Sequence, residues 1–225
     1  MTKRFEYKYI IPETTAYLVR KSLLPFMTLD PYCASRQDKQ YPIHSIYFDT
    51  FAKDAFYEKL DGVSPRTKIR IRLYEMTSKK YACFLETKTK NGNLSIKERE
   101  SLSLADHKAF MEKAVLKKHT STFCQKISKQ ILSTPLMPVA RIFYLREAYN
   151  GKFQNHLRVN FDRNVSATLN TSFFNTGIAI LKNMVIFEIK CQFSVPVWLE
   201  QIIYAYQLRR ASISKYTASL SKIYV

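Results

Sequence analysis

Glycine is scarce in this 225-residue chain: Gly62, Gly92, Gly151 and Gly177 are the 4 present, none within ten positions of another. A P-loop and a Gly-x-Gly-x-x-Gly dinucleotide fingerprint both need clustered glycines, so both are excluded. Any phosphate chemistry must then run through side chains. Cysteine is equally thin. Cys33, Cys83, Cys124 and Cys191 lack Cys-x-x-Cys spacing, which predicts reduced thiols that mostly serve packing in a cytosolic protein. Four scattered histidines supply no His/Cys cluster for zinc. Long apolar runs are missing as well. The longest stretch without charge, 164–181, is rich in Asn, Thr and Ser and is no transmembrane helix. The start, Met-Thr-Lys-Arg-Phe-Glu-Tyr-Lys, has charge but no apolar block behind it, so no signal peptide is expected. A soluble cytoplasmic protein is the default.

Acids are the remaining shortage: 18 Asp and Glu stand against 36 Lys and Arg, a formal net charge of +18. On a chain that is 46% hydrophobic, such an excess is costly self-repulsion unless something anionic relieves it. Nucleic acid, an anionic membrane or a small polyanion would do so; a solvated basic surface is the plain alternative. No repeat, low-complexity tract or linker-like run breaks the chain, so 1–225 reads as one domain, large enough for a single core.

Alternation of apolar and polar residues predicts strands over 3–11, 41–49, 65–74, 81–90, 94–102, 139–149, 156–162 and 184–193. Asn91-Gly92 is a two-residue hairpin signal. Helices are expected from Pro12 to about Leu24, over 105–132, and from Pro196 through Arg210, with a short helix or turn over 51–60. Strands joined mainly by hairpins or short links point to an antiparallel, barrel-like α+β fold.

Residues at i and i+2 of a strand share a face. Arg66, Lys68, Arg70 and Arg72 therefore form a row of cations about 6–7 Å apart, while Ile69, Ile71 and Leu73 face the other way, ready to pack under helices. One such strand is most simply a solvated edge. Further cations accumulate strand by strand: Lys8 beside Glu6, Lys88 and Lys90 beside Glu86, Lys97 with Arg99, Arg146 near Tyr144, Arg158 near Val159, and Lys190 beside Glu188. So many cation-bearing strands suggest a closed sheet with a basic lumen and helices outside. Its ligand would be dense in negative charge, and polyphosphate fits: Arg grips phosphate oxygens in pairs, and Lys acts as a point charge. The inward acids Glu188, Glu6 and Glu86 are then candidate ligands for Mg²⁺ or Mn²⁺ bridging phosphate, or plain salt-bridge partners within the pore.

At these residues the chain resembles the VTC domain, the polyphosphate-polymerase branch of the triphosphate tunnel metalloenzymes (the CYTH-like superfamily). The likeness is carried by RFEYKY at 4–9, SIYFDT at 45–50, YEKLDGVSPRTKIRIRLYE at 57–75, FLETKTKNGNLSIKERE at 84–100, YLRE at 144–147, LRVNFD at 157–162, VIFEIK at 185–190 and SKY at 214–216. It implies a closed antiparallel eight-stranded tunnel with flanking helices that builds polyphosphate from the γ-phosphate of ATP with Mn²⁺ or Mg²⁺. It assigns Lys8, Arg70, Arg72, Lys88, Lys97, Arg146 and Arg158 to phosphate, Tyr144 as a hydrogen-bond donor, Glu188 to metal and Lys215 to the reacting phosphate. Arg66, Lys68, Lys90, Arg99 and Lys190 join them by strand parity. The superfamily's opening Glu-x-Glu-x-Lys reads Arg4-Phe5-Glu6-Tyr7-Lys8 here, which favours polymer handling over a two-metal triphosphatase.

The expected reaction is in-line phosphoryl transfer: Arg70, Arg72 and Lys88 hold the triphosphate, Glu188 the metal, and Arg146 and Arg158 the product. The regulatory SPX-type region and membrane helices of fungal relatives are absent from these residues. The expectation is therefore polymer handling in the cytosol, without translocation unless a membrane-protein partner is recruited. Hydrolysis of short polyphosphate and catalytically idle binding are the rivals. Nucleic acid is not expected as a partner, because many of the 15 Tyr and 15 Phe lie opposite the cations, where they cannot stack on a ligand the cations hold.

Overall fold

The computed structural model describes residues 5–75, 81–92, 94–114, 116, 121–169 and 177–224. Arg4, part of the predicted 105–132 helix and part of the uncharged 164–181 stretch lie outside the described residues. In chain order the elements are β1 (Phe5–Pro12), α1 (Glu13–Leu23), β2 (Met27–Leu29), α2 (Pro31–Ala34), β3 (Tyr41–Asp49), α3 (Asp54–Leu60), β4 (Arg66–Glu75), β5 (Tyr81–Asn91) and β6 (Leu94–Leu102). Then come α4 (Leu104–Lys113), α5 (Thr122–Ser133), β7 (Met137–Gly151), β8 (Arg158–Thr168), β9 (Ile178–Ala179), β10 (Met184–Cys191), α6 (Val197–Ala205) and α7 (Lys215–Tyr224). None of these helices is long and apolar enough to cross a membrane.

The eight expected strands are all present, in the hydrogen-bonded order β1-β10-β8-β7-β3-β4-β5-β6, with β2 on β7 and β9 on β8. The fold is α+β with an antiparallel sheet, but the expected closure is corrected: among the described residues no pairing joins β1 to β6. The physical reason lies at β1. After α6 the chain turns at Gln207, with φ at 50°. Arg210 then bridges Tyr9 in antiparallel fashion, and the Ala211 amide donates to the Lys8 carbonyl at 2.7 Å. The outer hydrogen-bonding edge of β1 is thereby taken at Lys8 and Tyr9.

Contacts divide the chain into two units, one of Met1–Pro42, Phe143–Ser166 and Ala179–Ser214, the other of Ile43–Ile142, Ala167–Ile178 and Lys215–Val225. In the first, β10 pairs with β1 and β8 so that Lys8 faces Glu188, and Glu188 faces Asn160. The alternate residues Tyr9, Ile11, Val159, Phe161, Val185, Phe187 and Ile189 are buried under Ala16, Val19 and Leu23 of α1 and Leu199 and Ile202 of α6. In the second unit, Ile46, Ile69, Ile71, Leu73 and Leu85 pack beneath Phe110 of α4 and Ile127 of α5. In both units the sheet's apolar face is the one the helices cover, which leaves the charged face for the site.

Three helix boundaries differ from expectation. The predicted 105–132 helix is two. Ala114, at φ 52°, closes α4 with its amide on the Phe110 carbonyl, and Ser121 starts α5 by accepting from the Cys124 amide. Pro196 is the N-cap of α6 rather than its first residue, and that helix stops at Ala205. The Ser214-Lys215-Tyr216 motif opens α7, a helix the alternation patterns did not reveal.

Phe187 has no solvent exposure and lies between Tyr9 and Phe161, with ring centroids at 5.7 and 5.0 Å. Phe187→Ala should cost about 3–5 kcal/mol, because the cavity it leaves is walled by rigid strands. Urea denaturation followed by circular dichroism reads this directly.

Candidate functional site

In the second unit the register assembles a basic face from three strands. Arg66, Lys68, Arg70 and Arg72 of β4 stand opposite Lys90, Lys88, Glu86 and Phe84 of β5, and Glu86 and Lys88 stand opposite Arg99 and Lys97 of β6. Residues directly opposed across an antiparallel pair share a face. Lys68, Lys88 and Lys97 thus form a line of like charge across the sheet, an arrangement unfavourable in the absence of counter-charge.

Glu86 supplies that counter-charge and is the hub of this face. Its residue is 1% exposed. Oε2 accepts from Arg70 Nε at 2.9 Å and Nη2 at 2.7 Å, Oε1 accepts from Lys97 Nζ at 2.5 Å, and Arg72 Nη1 stands 3.8 Å away. Burial pushes the Glu86 carboxyl up, but Arg72, Arg70 and Lys97 outweigh it and hold the group at about 2. Arg70 Nη1 donates to Tyr47 Oη at 2.8 Å, and Arg72 Nε to Ser45 Oγ at 3.3 Å. Tyr47 is lowered to about 8 because Arg70 and Arg72, with the Arg70 hydrogen bond, overcome its burial. Lys68 is also brought down to about 8, here by burial first and then by Lys59 and Arg66. Arg66 turns its Nη1 to the Val63 carbonyl at 2.6 Å, and Arg99 lies 4.7 Å over the Phe84 ring.

Lys215 is the first residue of α7, whose opening turn is tied to the same face. Lys68 Nζ donates to Thr217 Oγ1 at 3.1 Å and sits 4.9 Å over the Tyr216 ring. Tyr216 stacks on Tyr47 at 4.9 Å and donates its hydroxyl to Asp49.

The first unit carries the other predicted residues. Glu188, 5% exposed, is ringed by Lys190 Nζ at 3.0 Å, Arg146 Nη2 at 3.5 Å and Lys8 Nζ at 3.8 Å, and accepts from Asn160 Nδ2 at 3.2 Å. Arg146 grips Asp162 with Nε at 2.6 Å and Nη2 at 2.8 Å and lies over the buried Tyr144 ring at 5.3 Å. Burial opposes its charge, yet Asp162 outweighs that and raises its pKa. Arg158 Nη2 reaches Asp30 at 3.0 Å and Tyr41 Oη at 3.5 Å, and its Nε reaches Asn160 at 3.4 Å. Glu6 lies on the Glu188 face, opposite Lys190.

Every predicted site residue is therefore on a charged sheet face or at the start of α7. Lys8, Glu6, Tyr144, Arg146, Arg158, Glu188 and Lys190 gather in the first unit; Arg66, Lys68, Arg70, Arg72, Lys88, Lys90, Lys97, Arg99 and Lys215 gather in the second. Sequence reasoning missed Tyr47, Asp49, Asp162, Asn160 and Asp30, and left Glu86 undecided between metal ligand and ion-pair partner. The usable signal was polar residues inside otherwise apolar strands, as in SIYFDT and LRVNFD.

Among the described residues no three His, Cys, Asp or Glu side chains converge to hold a metal ion. The Glu188 face, with Glu6 its second carboxylate, offers hard oxygen donors and so fits a divalent cation that takes most of its oxygens from phosphate and water, as Mg²⁺ commonly does. It does not fit an ion caged by protein alone.

A family model described as the VTC domain matches residues 3–224. Among solved structures, a Hippeastrum protein described as an adenylyl cyclase candidate with dominant triphosphatase activity is similar at 18% identity and TM-score 0.60, over 98% of this chain and 96% of that one. The PH1819 protein of Pyrococcus horikoshii is similar at 14% identity and TM-score 0.54, over 97% and 99%. An adenylate cyclase candidate of Bacillus halodurans is similar at 14% identity and TM-score 0.56, over 95% and 96%. At these identities the likeness is one of fold. No curated protein matches the chain.

Two outcomes follow from the charges. Glu86 is held at about 2 against an ordinary 4.5, so its stabilisation is complete above pH 4.5 and is lost as pH falls toward 2. Glu86→Gln should cost roughly 3 kcal/mol near neutral pH and remove that part of the acid sensitivity, read by chemical denaturation across pH. Lys68 at about 8 carries its full charge only below that pH. Tripolyphosphate affinity should thus weaken as pH rises through 8, and less so in Lys68→Arg, measured by titration calorimetry.

Proposed function

The chain belongs to the VTC domain family, and from that premise we propose that it is a polyphosphate polymerase, moving the γ-phosphate of ATP onto a growing inorganic polyphosphate chain. The observation that carries this reading is the basic face of β4, β5 and β6, built with side chains alone. Arg70 and Arg72 offer planar guanidinium forks to phosphate oxygens, and Lys68, Lys88 and Lys97 add point charges. A glycine-poor chain has no backbone cradle to offer instead.

In this scheme Arg70, Arg72 and Lys88 hold the triphosphate, with Lys97, Lys68, Arg66 and Arg99 extending the grip. A terminal oxygen of the chain attacks the γ-phosphorus, the bond from that phosphorus to the β–γ bridging oxygen breaks, and ADP leaves with the electron pair. The attacking oxygen is already anionic, so no strong base is required. Lys215 neutralises charge on the transferring phosphoryl group, and Arg146, Arg158, Lys8, Lys190 and Tyr144 bind polymer. Such catalysis is positioning and charge stabilisation. Glu188, with Glu6, would hold Mn²⁺ or Mg²⁺ arriving on phosphate; when bound, that ion neutralises charge on the phosphate oxygens. Residues 1–225 act as one functional domain, placed in the cytoplasm.

One observation favours a second reading, hydrolysis with water as acceptor: the Hippeastrum protein of similar fold is described as having dominant triphosphatase activity.

Incubation of the protein with ATP and Mn²⁺ separates them. Long acid-labile chains support polymerisation; orthophosphate released from tripolyphosphate without chain growth supports hydrolysis, and no turnover with retained binding overturns both. Under polymerisation, Lys215→Ala should lower turnover about 10²–10³-fold while tripolyphosphate still binds.

A further inference from the structure

Lys215 is the one proposed site residue carried by a helix rather than a strand, so its place depends on what fixes α7. The first turn of that helix is held by three separate contacts. Tyr216 donates its hydroxyl to Asp49 at the end of β3, its ring stacks on Tyr47 at 4.9 Å and 20°, and Thr217 Oγ1 accepts from Lys68. Tyr47 passes the contact on to Arg70, and α7 also packs on α3. Asp49 is itself anchored. Its Oδ1 accepts from the Thr50 amide at 2.8 Å and the Ala55 amide at 3.0 Å, and its Oδ2 from the Phe56 amide at 3.1 Å, which ties β3 to the start of α3.

We infer that Asp49 and Tyr216 are positioning residues: their hydrogen bond pins the first turn of α7 to β3 and so sets where Lys215 stands for phosphoryl transfer. The inference rests on the polymerase reading for the role of Lys215, but not for the clamp itself. Tyr216 is 1% exposed and Asp49 2%, so no water competes for the bond. Burial, and then Asp49, raise the phenol's pKa, keeping it a donor across the working range. Losing the Tyr216 hydroxyl alone leaves the triphosphate grip in place: Glu86 still aligns Arg70, Arg72 and Lys97, and the Tyr47–Arg70 and Thr217–Lys68 hydrogen bonds do not involve that hydroxyl.

Tyr216→Phe tests this without orphaning Asp49, which keeps its three amide donors. Turnover with ATP and Mn²⁺ should fall roughly 10- to 100-fold, the penalty of a slightly misplaced group, with KM for ATP unchanged. The double variant Lys215→Ala/Tyr216→Phe should be no slower than Lys215→Ala alone. Wild-type turnover in Tyr216→Phe, or losses that multiply in the double variant, would overturn the clamp. A readout independent of turnover separates this from failure of the polymerase reading. The rate of Lys215 acylation by acetic anhydride, followed by peptide mass spectrometry, should change in Tyr216→Phe while that of Lys126 stays constant. An unchanged Lys215 rate overturns the inference whether or not the protein makes polymer.

Discussion

Repulsion among cations crowded onto one side of a sheet is the constraint to which the rest of this structure answers. Strand alternation forces the crowding: once Ile69, Ile71 and Leu73 are buried beneath α4 and α5, Arg66, Lys68, Arg70 and Arg72 have only the other face. Each unit meets the cost with a buried carboxylate. Glu86 gathers Arg70, Arg72 and Lys97; Glu188 gathers Lys8, Lys190 and Arg146. Glu86 does not neutralise its surroundings, since three cations meet that one carboxylate, whereas around Glu188 Arg146 is shared with Asp162. That residual positive charge, held on rigid strands, is what a phosphate chain would complete, and its geometry exists before any ligand arrives.

Much of this was legible in the residues. Period-two alternation located the eight long strands, and parity placed the cations of β4, β5 and β6 on a common face. Register was not legible. That Glu86 stands between Arg70 and Arg99 depends on how three strands slide against one another, which a single chain's pattern leaves open. The partners Asp162 and Asn160 were hidden for the same reason, since each is a lone polar residue in an apolar strand until its neighbour is known. The helix after Leu104 was read as continuous because its apolar periodicity runs on, whereas Ser121 restarts it through a local side-chain bond. Closure was expected from charge, but charge does not hydrogen-bond strands. The 208–211 segment, with no alternation of its own, took the edge instead.

The helices divide the labour differently from the strands. α1, α4, α5 and α6 cover apolar faces and serve the cores. α7 presents its first turn to the charged face, where Tyr216 stacks on Tyr47 beneath the Lys68 ammonium. A flat ring beneath the Lys68 ammonium tolerates its charge, as a second basic side chain would not.

The bridge between Tyr9 and Arg210 has a consequence for how the molecule keeps to itself. A strand with unpaired amides and carbonyls invites a second chain to dock alongside, the first step toward intermolecular sheets. The middle of β1, at Lys8 and Tyr9, is closed to such recruitment by its own downstream segment. β6, at the other end of the strand order, bears Lys97, Glu98, Arg99 and Glu100 in succession, charges that a dry interchain seam would have to strip of water. Strand-to-strand docking is thus opposed by a backbone cap at one end and by charged gatekeepers at the other.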